Sequence, residues 1–324
     1  AHGPVKFRLP SGTRDVLPEE MAERRRIERA LLETFEQAGY GEVSTPELEF
    51  PETAELGRLA APYRVIGDGG EELSLRADMT GPIARLVVTR YADEDPPLRF
   101  CFSTVVHRAV QPGKGEAREL RQSGIELLGV PGPEGTVEAI TVLCRALEAT
   151  GLADFSIGVG DISLYPGLLD DLGVGAEDQA FLLDALAARD FVAIAERARG
   201  LGLDPESERL VAEVPAMRGD SVVLEAEGPL GERLAGLRDL VSRLDPAVAA
   251  RVIVDLGRFA RMGYYTVAVF EVYDPALGEP IGSGGRYDER LARFGRPLEA
   301  VGFAIDVDRL HAAIAGEELG ETGR

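Results

Sequence analysis

The residues best suited to chemistry lie in one run, Val106-His107-Arg108-Ala109-Val110-Gln111-Pro112-Gly113-Lys114-Gly115-Glu116-Ala117-Arg118-Glu119-Leu120-Arg121-Gln122-Ser123-Gly124-Ile125-Glu126. It reads as strand, glycine-rich loop, strand. Side chains on a strand alternate between faces, so Arg118, Gln122 and Glu126 share one face, with Gly124 bare between the last two. A cation, an amide and a carboxylate side by side form a platform that can hold a zwitterion. The competing reading is the solvated side of an antiparallel hairpin. Two later segments weigh against it, because each sets an aromatic or glycine cluster beside a strand: Gly263-Tyr264-Tyr265-Thr266-Val267-Ala268-Val269-Phe270-Glu271 and Gly282-Ser283-Gly284-Gly285-Arg286-Tyr287-Asp288; Leu75-Arg76-Ala77-Asp78-Met79-Thr80 and Gly302-Phe303-Ala304-Ile305-Asp306-Val307-Asp308-Arg309 complete the set.

Elements must exist to position these groups. Pro18 can open a helix, Glu19 and Glu20 suit its positive first turn, and Ile27, Leu31 and Phe35 repeat on one face before Gly39 stops it. Residues 65–75, broken by Gly67-Asp68-Gly69-Gly70, predict a hairpin, and a helix follows Thr80. Residues 98–106 and 118–128 predict paired strands of a mostly antiparallel sheet; residues 136–149 predict a helix. From 163 to 250 the texture changes to Leu, Ala, Arg and Glu at helical spacing, punctuated by Pro166, Pro205, Pro215, Pro229 and Pro246. We read residues 163–250 as a helical insertion subdomain, with 1–162 and 251–324 forming the core. Strand texture resumes at 251–255, and a last helix covers 307–315.

A chain of 324 residues can bury a full core without disulfide staples. Its two cysteines, Cys101 and Cys144, sit in apolar runs and read as buried free thiols, which points to the reducing cytoplasm. No signal peptide or membrane span is expected. Asp plus Glu number 56 against 35 for Lys plus Arg, a formal charge of -21 that repels polyphosphate chains and argues against a nucleic-acid partner. Acidic surfaces also serve solubility alone. His2, His107 and His311 are not spaced as zinc ligands with either cysteine, and neither a P-loop nor a nucleophile elbow is present. Gly113-Lys114-Gly115 lacks the following Ser or Thr of a phosphate loop and reads as a hairpin tip.

The ordered set of segments resembles the catalytic core of histidyl-tRNA synthetase, a class II synthetase, over nearly the whole chain. The resemblance implies an α+β fold: a mostly antiparallel sheet flanked by helices, carrying a helical insertion. It implies a histidine pocket in which Asp78 and Thr80 meet the ammonium, Arg108 and Gln122 the carboxylate, and Glu126 and Tyr265 the imidazole, with Tyr264 beside them. Asp78 stands where the synthetase has Glu, and Asp78 and Thr80 equally suit a helix cap. Tyr264 equally suits a core position. Arg286 and Tyr287 are secondary candidates, and Gly282, Gly284 and Gly285 leave room for a close approach or mark a bulge. Thr45-Pro46-Glu47-Leu48-Glu49 resembles the family's first class-defining segment, whose proline lies at the homodimer interface.

The nucleotide half departs from that pattern. Val110 replaces an acidic residue that helps read adenine, and Glu116 replaces an arginine that meets phosphate. Ala260 replaces the arginine clamp, with Arg261 out of register, and Asp306 replaces a small glycine before Arg309. No anticodon-binding domain is expected after the last helix. Retained amino-acid groups beside lost nucleotide groups are similar to the regulatory subunit of ATP phosphoribosyltransferase, the synthetase-like partner of a short catalytic subunit in the first step of histidine biosynthesis. The resemblance implies no catalytic residues, no cofactor and no metal, with histidine as effector and a homodimer within a hetero-oligomer that includes the short-form ATP phosphoribosyltransferase catalytic subunit. Two other readings stay open: a synthetase-like enzyme that activates histidine with ATP for another acceptor, tested by pyrophosphate exchange, and a tRNA-binding stress sensor, tested by filter binding at low salt.

Overall fold

The computed structural model describes residues 8–56, 62–110, 116–258, 265 and 268–318. Helix α1 (Pro18–Gln37) begins at a proline with Glu19 and Glu20 in its first turn, and it buries Ile27, Leu31 and Phe35. Gly39, at φ +91°, ends it: the Gly39 and Tyr40 amides donate to the Glu36 and Phe35 carbonyls at 2.9 and 3.0 Å. That left-handed turn favours glycine.

Short strands β1 (Gly41–Glu42) and β2 (Leu48–Glu49) precede α2 (Pro51–Leu56), then β3 (Arg64–Ile66) and β4 (Glu72–Leu75) form the hairpin expected around Gly67 to Gly70. Helix α3 (Thr80–Arg90) follows. Strands β5 (Leu98–His107) and β6 (Glu119–Leu128) pair antiparallel along their full length, from Leu98 opposite Leu128 to His107 opposite Glu119. After α4 (Glu134–Ala149) and β7 (Ser156–Asp161), the chain runs through α5 (Leu164–Asp171), α6 (Ala176–Ala187), α7 (Phe191–Arg199) and α8 (Pro205–Glu213). It continues through β8 (Arg218–Gly219), α9 (Gly228–Arg233), α10 (Ala235–Ser242), α11 (Pro246–Ala249) and β9 (Val252–Asp255). Strands β10 (Ala268–Tyr273) and β11 (Gly282–Arg286), helix α12 (Arg290–Arg293), β12 (Ala300–Asp306) and α13 (Val307–Glu318) complete the fold.

The described strands form a nine-stranded sheet in the order β1-β5-β6-β12-β11-β10-β7-β9-β8 and a small sheet β2-β4-β3. Pairing is antiparallel except for β1 with β5 and β7 with β9. Strand alternation splits the central residues between two cores. Cys101, Ile125 and Leu127 pack toward α1 and α4, in a cluster that also takes Leu182, Ile194, Val211 and Leu237 from the segment between β7 and β9. Phe100, Phe102 and Leu128 pack on the other side with Ile83 and Val87 of α3. Both cysteines are free and buried, and burial pushes their thiols up to about 12 at Cys101 and about 11 at Cys144. Among the described residues no helix is long and apolar enough to cross a membrane.

Candidate functional site

On the α3 side of the sheet, β5, β6, β11 and β12 floor a pocket that α3 and Tyr265 wall. Asp78, Thr80, Arg108, Gln122, Glu126 and Tyr265 all line it. Tyr264 lies outside the described residues, as do Ala260 and Arg261.

Glu126 is the centre. It is 3 % exposed. The Thr80 hydroxyl donates to its Oε1 at 2.8 Å, and the Tyr287 hydroxyl donates to its Oε2. A buried carboxylate is tolerable only where donors meet it. Gly302 lies opposite Glu126 across β6 and β12, and a Cβ there would overlap Oε2, so the glycine is what lets the carboxylate lie against the sheet.

Asp78 holds the first turn of α3: its Oδ1 accepts from the Thr80 and Gly81 amides at 3.0 and 3.3 Å. It is therefore a cap and a pocket residue at once, which keeps Thr80 aimed at Glu126. Arg108 donates from Nε to the Ala77 carbonyl at 3.3 Å. Burial lowers its pKa, while Asp78 and Asp306 favour its charge. Gln122 is buried, and its Oε1 has no hydrogen-bond partner among the described residues. That orphan atom is an acceptor aimed at a pocket of charged and polar neighbours.

Several expectations change. Arg118 does not join the platform: it precedes β6, donates from Nε to the Ser11 carbonyl at 2.6 Å, and donates from Nη1 to the Tyr63 hydroxyl. Its guanidinium ties the 11–13 segment to the hairpin instead. Tyr287, only a secondary candidate, touches Glu126 directly, whereas Arg286 turns to the opposite face and binds Asp288 at 2.9 Å and the Val130 carbonyl at 3.3 Å. The approach that the β11 glycines permit is internal to the protein. A Cβ on Gly284 would clash with the Phe270 ring, one on Gly285 with the Tyr265 ring, and one on Gly282 with the Ala304 carbonyl. Ser283 and Phe102 also line the pocket, and local spacing carried no sign of either.

Asp306 has a structural role that the sequence reading missed. Its Oδ1 accepts from the Asp308 and Arg309 amides at 3.0 and 3.1 Å, capping α13. Arg309 is itself engaged: Nη1 donates to the Pro280 carbonyl at 2.8 Å, and Nη2 lies 2.5 Å from Glu279. Glu116 is exposed.

Comparison with known proteins places this geometry. Residues 12–310 match the histidyl-tRNA synthetase family. The chain is 40% identical to the ATP phosphoribosyltransferase regulatory subunit of Symbiobacterium thermophilum, across 94% of this chain and 79% of the relative. A crystal structure from Bacillus halodurans C, described as an ATP phosphoribosyltransferase regulatory subunit/histidyl-tRNA synthetase, matches with a TM-score of 0.88 at 32% identity, over 96% of this chain and 84% of that one. A histidine--tRNA ligase subunit from Alicyclobacillus acidocaldarius matches with a TM-score of 0.76 at 28% identity, over 98% of this chain and 100% of that one. With its class II synthetase-like fold and these relatives, the chain belongs to the family of ATP phosphoribosyltransferase regulatory subunits.

Proposed function

We propose that this subunit has no catalytic activity of its own, binds histidine in the Glu126 pocket, and passes that occupancy to a short-form ATP phosphoribosyltransferase catalytic subunit in a hetero-oligomer built on a homodimer. One observation carries the reading: six candidate residues, scattered along the chain from Asp78 to Tyr265, line a single pocket. The ammonium of histidine meets Asp78 and Thr80. Gln122 meets the carboxylate beside Arg108 by offering its amide NH2, since rotating the amide reverses the orientation that leaves Oε1 without a donor. Arg108 takes the carboxylate. Glu126 and Tyr265 take the imidazole.

The cavity is narrow, about 40 Å³. At roughly 10–15 Å³ per water it holds fewer atoms than a free histidine has, so binding requires wall side chains to shift. A regulatory site benefits from that requirement, since a ligand moves an equilibrium only by binding two states differently. Leu48 and Phe50, exposed beside Pro46, support the homodimer reading of that segment.

Calorimetry with histidine tests the pocket, on the chain and on Glu126→Gln. Saturable binding that the substitution abolishes supports it, and equal binding by both rejects it. Reconstitution with the catalytic subunit tests the regulation: phosphoribosyltransferase activity that histidine leaves unchanged would end the proposal. Robust pyrophosphate exchange with histidine and ATP would show a catalytic subunit instead.

A further inference from the structure

Arg108 and Gln122, the two groups read as meeting the carboxylate of histidine, share a neighbour that carries a carboxylate of its own. Asp306 ends β12 directly opposite Gln122 of β6. Residues opposed in an antiparallel pair point to one face with their Cβ atoms about 5 Å apart, so the Asp306 carboxyl stands beside the Gln122 amide at one end of the pocket floor. Both side chains are buried. Burial works against the charge of Arg108, whereas Asp78 and Asp306 favour it and Arg309 opposes it.

Hydrogen bonds to amides leave the charge of Asp306 in place. Its Oδ1 accepts from the Asp308 and Arg309 amides, and its Oδ2 lies 3.7 Å from Arg309 Nε. The same guanidinium lies 2.5 Å from Glu279, so it is divided between two carboxylates. Asp308, in the same turn, adds a further negative charge. What this corner sends into the pocket is a negative field, and a buried site screens such a field weakly. It opposes a second carboxylate on Arg108 and Gln122, and it favours a cation. Ionised, Asp306 is also an acceptor only, so it cannot satisfy the Gln122 Oε1 that lacks a partner among the described residues. We propose that Asp306 sets the affinity of the Glu126 pocket, holding down the binding of ligands that bring a carboxylate and so tuning the concentration at which histidine is sensed. This rests on the reading of that pocket as a histidine site.

Two ligands separate charge from packing: histidine, and histidinol, in which an alcohol replaces the carboxylate. Both are titrated by calorimetry into the full chain and into Asp306→Asn, which keeps an oxygen to cap α13 and offers an NH2 to Gln122 Oε1. At pH 8 the variant is expected to bind histidine threefold to tenfold more tightly than the parent and histidinol no more tightly, so the ratio of the two affinities rises. Asp306→Ser, a second neutral cap, should move the ratio the same way and gives a reading if Asp306→Asn fails to fold. Burial raises the Asp306 carboxyl against the pull of the Arg309 amide and guanidinium, so the parent itself becomes neutral there as pH falls, and the gain should shrink. Titration of the ligand, and of Asp78, Arg108, Tyr265, Asp308 and Arg309 around the corner, is common to the chains compared. A ratio that neither variant raises, or an equal gain for histidinol, overturns this proposal alone, provided that Glu126→Gln abolishes histidine binding. Absence of histidine binding in parent and variants overturns it together with the pocket.

Discussion

Two places on the strand pair β6 and β12 lie four residues apart and handle charge in opposite ways. At Gly302, opposite Glu126, the sheet gives up a side chain so that a carboxylate can lie in a pocket with Thr80, Tyr287 and an unsatisfied Gln122 oxygen. At Asp306, opposite Gln122, the sheet supplies a carboxylate that is consumed at once by the amides of α13, and the neighbouring Arg309 is held by Pro280 and Glu279. A buried acceptor without a donor costs roughly 1–3 kcal/mol. A half-exposed arginine already paired costs little and gains little. The contrast separates a carboxylate that faces a pocket from one that is used up in ending a strand and starting a helix.

The strongest way to break this contrast is to remove the centre of the first region. Glu126→Ala takes away the carboxylate and leaves the Thr80 and Tyr287 hydroxyls facing a gap. Losing a charge-assisted bond of about 2–3 kcal/mol predicts a fall of roughly a hundredfold in histidine affinity. Calorimetry reads it directly. An affinity within threefold of the parent chain would place the effector elsewhere.

Much of that region was readable from the chain. Strand alternation set Gln122 and Glu126 on one face because a period of two is a local property, and the β5–β6 hairpin emerged within a residue of its expected ends. Arg118 was misassigned for a physical reason: it stands just before β6, where the alternation does not yet hold, and a carbonyl more than a hundred residues earlier captures it. Tyr287 was undervalued because its bond to Glu126 spans 161 residues and depends on the turn after β11, which no local spacing encodes. Asp306 was read only as a charge near a nucleotide. A carboxylate immediately before a helix is equally a cap signal, and Asp306 carries it in the sequence.

Gly302→Ala sharpens the comparison from the backbone side. The added methyl group would meet the Ile125 carbonyl, which cannot withdraw without disturbing the ladder between β6 and β12, and Glu126 Oε2, which can withdraw only by leaving the Thr80 and Tyr287 hydroxyls. Overpacking of this kind predicts a loss of about 1–3 kcal/mol in urea unfolding, together with loss of histidine binding. A variant as stable as its parent would mean that Glu126 swings freely, and the claim that Gly302 makes room for it would fall.

Tyr287→Phe removes one donor to Glu126 and keeps the ring in its buried cluster. About 1 kcal/mol is at stake, so histidine should bind roughly fivefold to tenfold more weakly while the unfolding midpoint moves little. Equal losses in binding and stability would make the tyrosine a core residue whose hydroxyl is incidental.

The smallest effect belongs to the second region and depends on pH. Burial raises the Asp306 carboxyl above its ordinary range, against the opposing pull of the Arg309 backbone amide and guanidinium. A carboxyl raised in the folded state favours the fold when protonated, and that contribution is lost as pH rises through the raised value. Asp306→Asn keeps an oxygen to cap α13 and carries no charge to desolvate. It should therefore melt slightly higher than the parent at pH 8, by about 2 °C for an energy near 1 kcal/mol, with the gap closing as the pH falls into the carboxylate range. Thermal melts across that range decide the matter: a variant less stable at pH 8 would show that Arg309 holds Asp306 more strongly than burial penalises it, and the second region would then rest on its ion pair rather than on its cap.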